Sequence, residues 1–219
     1  MISASHEELR AKLRGYLDHD PTLRSVVAYT KERFDAETRL TAHNWEHIYR
    51  DTLNAIVIGE AEGADMDVVL PAIVMHDIGY LYGPEKDHGP RGAEVLPEYL
   101  EAARIAYSAD DVDKQASCIH THKGTWWGEH PESLEAKVVA DADLLAKFGP
   151  LGVYQTIRTL GELNWSLADS VARAQVRENE PLQLETETGR RLAEPGRRFV
   201  RDFFRELALA AEPYGDSLL

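Results

Sequence analysis

The stretch VVLPAIVMHDIG, from Val68 to Gly79, joins the most apolar run of the chain to an adjacent histidine and aspartate. Val68, Val69, Leu70, Ile73, Val74 and Met75 leave almost no polar face, the pattern of a helix buried on all sides at the centre of a helical protein. Asp65 is placed to cap it, and Pro71 is expected to kink it. The run falls short of the roughly 18 residues that span a bilayer, and it ends in His76 and Asp77. A carboxylate at the end of such a helix must be paired or coordinated. Two readings are open from this segment alone: a helix-terminal His-Asp hydrogen bond, or a divalent cation held by imidazole and carboxylate.

Working outward, the chain reads as helices on both sides of this segment. Residues from about Glu7 to Asp18 form an amphipathic pattern, and Pro21 with Thr22 can open a second helix carrying Leu23, Val26, Val27, Tyr29 and Phe34. From Asn44, the residues Trp45, Ile48, Tyr49, Leu53 and Ile56 recur at helical spacing up to Gly63, which places His43 and His47 on a third helix. Gly79 to Gly92 reads as a functional loop, followed by a helix from about Ala93 to Ala106. Ser108 with Asp111 has capping spacing for a helix running toward His122. Gly124, Trp126 and Trp127 follow as a loop, and Pro131 opens the helix that carries Asp141 and Asp143. Further helices are expected near 151–160, 166–178 and 189–211, with a polar break around Pro181 to Gly189. No strand alternation or repeat is visible. The expectation is one all-helical domain over 1–219, with a core at about 43–150, N-terminal helices within 5–36 and a C-terminal helical extension within 151–211.

Composition narrows the function. With 24 Lys plus Arg against 38 Asp plus Glu, the net charge of −14 repels duplex nucleic acid and anionic membranes. A small phosphorylated ligand remains compatible, because a bound cation can outweigh distant surface charge. The single cysteine, Cys118, cannot form an internal disulfide, and the N-terminus lacks an apolar signal core, so a cytoplasmic location is expected.

His47 in NWEHIYR, the pair His76 and Asp77 in VMHDIG, and Asp143 in ADADLL put four ligand-type side chains on three helices. In this order and local context the sequence resembles the HD superfamily, over about residues 43–150. The resemblance implies an all-α HD-type helical bundle in which His47, His76, Asp77 and Asp143 hold a divalent transition metal, Mn, Fe, Co, Ni or Zn. The carboxylates of Asp141 and Asp143 point about 200° apart on a helix, so only one faces an ion. The resemblance selects Asp143, leaving Asp141 to cap, to support a ligand or to face solvent. His88 and His122 resemble the extra histidines of HD proteins that hold two ions, which makes Asp77 the bridging ligand. His120 lies two residues from His122 and cannot share its ion on a continuous helix. His43, four residues before His47, reads as a substrate contact or a cap.

The resemblance implies hydrolysis of a phosphate ester by metal-activated water, with no protein nucleophile. Asp77 belongs to that machinery. Arg50 is a candidate to orient a carboxylate or contact substrate, and Lys86, Arg91 and Lys123 are candidates to neutralise phosphoryl oxygens. Glu85 and Asp87 are candidates for proton transfer. Trp126 and Trp127 offer a stacking wall, which makes a nucleotide the leading substrate class. Gly79, Tyr80, Gly83 and Pro84 directly follow the HD pair where an HD-GYP signature does not belong, so cyclic-dinucleotide hydrolysis is disfavoured. Two rival classes remain: a mixed-valent di-iron oxygenase cleaving a C–C or C–P bond, and a non-catalytic module that binds a metal or ligand for regulation.

Overall fold

The computed structural model describes residues 5–83, 85–172 and 183–212; the side chains of Glu85 and Trp126 lie outside the described set. Nine helices are numbered here in chain order: α1 (His6–His19), α2 (Pro21–Ala36), α3 (Trp45–Glu62), α4 (Met66–Met75), α5 (His88–Ala102), α6 (Ala109–His120), α7 (Leu134–Leu145), α8 (Gly149–Glu162) and α9 (Glu187–Ala211). Short 3-10 turns stand at Ile78–Leu81, Glu85–Asp87 and Thr125–Trp127. The described residues contain no strand, and the fold is all-α. Residues 167–172 are helical, and the remainder of the helix expected up to 178 lies outside the described residues.

The apolar run does what its composition dictates. Every residue from Val68 to Met75 is buried, and α4 is the hub on which α2, α3, α6 and α7 pack. Ile48, Ala55 and Ile58 of α3, Ile119 of α6, and Val138 and Ala142 of α7 close around it. Each large aliphatic side chain so buried contributes roughly 1.5–3 kcal/mol, enough in sum to fix the helix end that presents His76 and Asp77. Leu13 and Leu23 of α1 and α2 cover Ile56 and Leu70 on the outer side.

Polar caps set the register of the elements around the hub. Asn44 Oδ1 accepts from His47 N (3.1 Å) and starts α3 at Trp45, while Gly63 ends it in the left-handed region with φ 76°. Asp65 caps α4 and Ser108 caps α6 as their sequences indicate. Several boundaries differ from the sequence reading. His43 precedes the cap and is off the helix. The helix bearing Asp143 opens at Ser133, whose Oγ accepts from Ala136 N (3.1 Å), not at Pro131. α6 stops at His120, so His122 sits in the following turn.

The largest difference lies in the segment expected to be a loop up to Gly92: α5 already begins at His88. Its glycines serve close backbone packing. A Cβ on Gly79 would run into the His88 carbonyl oxygen, and one on Gly89 would stand 2.8 Å from the His120 carbonyl oxygen. Pro90 falls in the first turn, where a missing N–H costs nothing. The N-terminus of α5 is thereby pressed against the turn after α4 and the end of α6.

α8 and α9 pack on each other through Val153 and Phe204, with α9 also touching α3 and α7. Among the described residues no helix is long and apolar enough to cross a membrane.

Candidate metal centre

Five elements end around one carboxylate. Asp77 follows α4 directly, and its side chain is buried. Oδ2 faces His47 Nε2 of α3 at 3.3 Å and His76 Nε2 at 3.4 Å. Oδ1 faces His88 Nε2 of α5 and His122 Nε2 beyond α6, each at 3.6 Å. Asp143 of α7 joins the first pair, with Oδ1 3.4 Å from His47 Nε2. All six side chains proposed as ligands are therefore brought together, and the two oxygens of Asp77 address two separate histidine pairs.

The ring orientations are fixed from behind. His76 donates from Nδ1 to the Ile73 carbonyl (2.7 Å), and His122 donates from Nδ1 to the Ile119 carbonyl (2.6 Å). With Nδ1 so engaged, each Nε2 is turned toward Asp77, and His122 Nε2 also lies 2.9 Å from His88 Nε2. Behind His47 stands Asp51, one helical turn on, with Oδ2 3.0 Å from His47 Nδ1. The sequence reading missed Asp51, although its i,i+4 relation to His47 on a buried helix face was a usable signal.

The electrostatics of the cluster are dominated by buried charge. Burial would push the Asp77 carboxyl up, but His76, His122 and His47 hold it well below the usual carboxylate range. Burial likewise opposes ionisation of Asp143, and Lys147 with His47 and His76 outweighs it. Burial pushes the His47 imidazole down, yet Asp51, Asp143 and Asp77 lift it to about 10. Asp51 is driven up by burial to about 7, against the pull of His47. His76 Nε2, Asp77 Oδ2 and both Asp51 oxygens are buried with no aligned hydrogen bond. Two buried groups, His47, Asp51, His76 and Asp143, and His76, Asp77 and His122, each offer ligand atoms within 4.8 Å of one another, a donor set that suits a divalent transition ion, so the residues present fit the implied metal.

A cavity opens over this cluster, lined by His43, Tyr80, Lys123, Trp127, Lys147, Gln155, Leu160, Leu163 and Trp165 as well as the cluster residues. Lys147 reaches both oxygens of Asp143 (3.0 and 2.8 Å) and stands over the Trp127 ring at 5.6 Å. His43 stacks on Tyr80, which stacks on His88. Glu162 fixes His43 from behind, with Oε1 2.6 Å from Nδ1 and Oε2 accepting from Ala42 N (2.7 Å). Neither Lys147 nor Glu162 came from the sequence reading. Lys147 had a signal, four residues after Asp143, whereas Glu162 lies 119 residues from its partner and had none.

Several expected residues stand elsewhere. Arg50 donates from Nη2 to Gln155 Oε1 (2.6 Å) and is absent from the cavity lining, because the i+3 position turns it toward α8. Lys86 is 82% exposed beside Asp87 and does not line the cavity. Arg91 is engaged by Glu94 and Glu98 on its own helix. Lys123 does line the cavity, paired with Glu129 at 2.8 Å. Trp127 is at the wall, while the Trp126 and Glu85 side chains lie outside the described residues. Asp141 points away from the cluster and accepts from Glu185 N (2.8 Å), Thr186 N (2.7 Å) and Thr186 Oγ1 (2.6 Å).

Residues 44–147, which contain His47, the His76 and Asp77 pair and Asp143, match the family model of the HD domain. The chain carries an HD domain. Similar proteins include one named for the HD superfamily. The chain is 26% identical over 175 residues to the uncharacterized protein YpgQ of Bacillus subtilis (strain 168), covering 76% of this chain and 83% of that one. A predicted HD superfamily hydrolase from an uncultured Thermotogales bacterium superposes with TM-score 0.62 at 26% identity, over 90% of this chain and 98% of its own. The structure of Bacillus subtilis YpgQ in complex with ADP superposes with TM-score 0.64 at 24% identity, over 85% of this chain and 93% of its own. The matched stretch thus spans the helices that bear the four side chains first proposed as ligands. His88 and His122 belong to the same stretch, and Gln155 and Leu160 of α8 with Leu163 and Trp165 after it complete the cavity from beyond it.

Proposed function

We propose that the chain is a metal-dependent phosphohydrolase acting on a small phosphate ester, with a nucleotide as the leading substrate. The observation that carries this reading is the division of Asp77, whose two oxygens face two histidine pairs beneath a cavity that also presents lysines. His47, His76 and Asp143 would hold one ion, His88 and His122 a second, and Asp77 would be shared between them. When bound, such ions lower the pKa of water and offset the charge of phosphoryl oxygens. Lys147 and Lys123 supply positive charge at the cavity wall, which draws in an anionic substrate despite the net charge of the chain. His43, with Nδ1 held by Glu162, keeps Nε2 on the cavity side, where it can hold or pass a proton to a leaving oxygen. Trp127, Trp165, Leu160 and Leu163 give the cavity an apolar wall suited to a base. The ADP complex of YpgQ supports a nucleotide over other esters.

The test uses chelator-stripped protein reloaded separately with Mn, Fe, Co, Ni or Zn and offered nucleoside di- and triphosphates alongside a generic phosphomonoester. Release of phosphate or pyrophosphate from a nucleotide, abolished by Asp77→Ala, is the expected result. No release under any of the five metals would overturn the reading, and iron-dependent dioxygen uptake would turn it to the oxygenase class.

A further inference from the structure

Asp51 is the one carboxylate in the cluster that faces neither the cavity nor solvent. Its side chain is 0% exposed, and neither oxygen makes an aligned hydrogen bond. A buried carboxylate in that state is costly, so its retention calls for a function that the fold alone does not provide.

His76 and His122 are both held by the carbonyl three residues earlier, Ile73 and Ile119. His47 has no such acceptor: the carbonyl three residues before it belongs to Asn44 and already accepts from Ile48 N (3.1 Å) in the first turn of α3. Asp51, one turn further along, stands on that side of the ring, with Oδ2 3.0 Å from His47 Nδ1, a buried ion-pair contact in which neither atom has the alignment of a hydrogen bond. The same oxygen lies 3.8 Å from His76 Nε2, so its negative charge falls on the His47, His76 and Asp143 side of Asp77.

We propose that Asp51 is a positioning residue for that inner half of the metal centre. It holds the proton on His47 Nδ1, aims Nε2 at Asp77 and Asp143, and makes the inner ion bind more tightly than the outer one at His88 and His122. The inference rests on reading the cluster as a two-ion site. A carboxylate behind a metal-bound imidazole raises its basicity, and loss of such a partner costs roughly 10- to 100-fold in metal affinity.

The experiment compares Mn binding to chelator-stripped wild type and Asp51→Asn, the amide being isosteric and still able to accept from His47. Titrations followed by the free Mn resonance signal are paired with melting curves with and without Mn. Wild type is expected to bind Mn in a tight and a weaker step, with Asp51→Asn losing roughly 10- to 100-fold in the tight step only. The metal-free variant is expected to melt no lower than wild type, because a buried charge has been removed, while its gain in melting temperature on adding Mn shrinks. A purely structural Asp51 gives the opposite pattern, a metal-free protein that melts lower with unchanged Mn steps, and that result would overturn the proposal. Equal Mn affinity in both proteins would also overturn it while leaving the two-ion reading intact, whereas wild type that binds no Mn would overturn the two-ion reading itself.

Discussion

Replacing Asp77 by asparagine keeps the shape of the side chain and removes one charge from the middle of four imidazoles. The carboxylate oxygens stand 3.3–3.6 Å from the four Nε2 atoms. At an effective dielectric of about 20, a unit positive charge about 3.5 Å away is attracted by ~5 kcal/mol. Setting about half of that against the desolvation that a neutral amide no longer suffers leaves about 2–3 kcal/mol, or roughly 30- to 150-fold in the affinity for a cation. Because Asp77 faces both histidine pairs, the loss should fall on both metal steps rather than one. Isothermal titration of Mn into chelator-stripped Asp77→Asn, with far-ultraviolet circular dichroism to establish that the helices persist, measures it. A folded variant that binds Mn with wild-type affinity and stoichiometry would refute the reasoning.

Three further outcomes follow from other parts of the structure. Since His47 is lifted to about 10, its imidazole holds an extra proton at neutral pH in the metal-free protein, and His76 is shifted in the same direction. Metal must displace that proton, so apparent affinity should fall as pH falls, about tenfold per pH unit for each proton released; titrations at pH 7.5 and 6.5 check this, and equal affinities would contradict it. Asp141→Ala removes three hydrogen bonds to the segment before α9 and should cost about 3 kcal/mol, lowering the melting temperature by about 6–12 °C while metal stoichiometry is kept. Asp143→Asn should do the reverse, which elemental analysis and a thermal melt of each variant would distinguish. Gly79→Ala drives a Cβ into the His88 backbone, so it should cost about 3 kcal/mol and loosen the site at His88 and His122, read as a lower melting temperature and a weakened second Mn step.

The fold was legible wherever local chemistry decides it. The unbroken apolar face from Val68 to Met75 identifies a buried helix, and Asn44, Gly63, Asp65 and Ser108 mark ends that the structure keeps. The order His47, His76, Asp77, Asp143 pointed to the cluster, and the opposite directions of Asp141 and Asp143 follow from helical geometry. Proximity in sequence was the poorer guide. Lys86 and Arg91 flank the HD pair in the chain, but one faces solvent and the other is taken by acids on its own helix. The glycines between Gly79 and Gly92 read as a loop because conformational freedom and close packing leave the same mark in a sequence. Asp51 and Lys147 carried i,i+4 signals beside proposed ligands, whereas Glu162 behind His43 and Trp165 at the cavity wall are placed only by the packing of α8 and the turn after it, for which no local pattern exists.

Two divalent ions are proposed to share Asp77. Anomalous diffraction from crystals of the protein purified without chelator, collected on both sides of the Mn and Fe absorption edges, tests this sharing most directly. The account expects two peaks, one among His47, His76 and Asp143 and one beside His88 and His122, with the Asp77 carboxylate between them. Crystals loaded with saturating Mn that show a single peak, or none, within the cluster would contradict it.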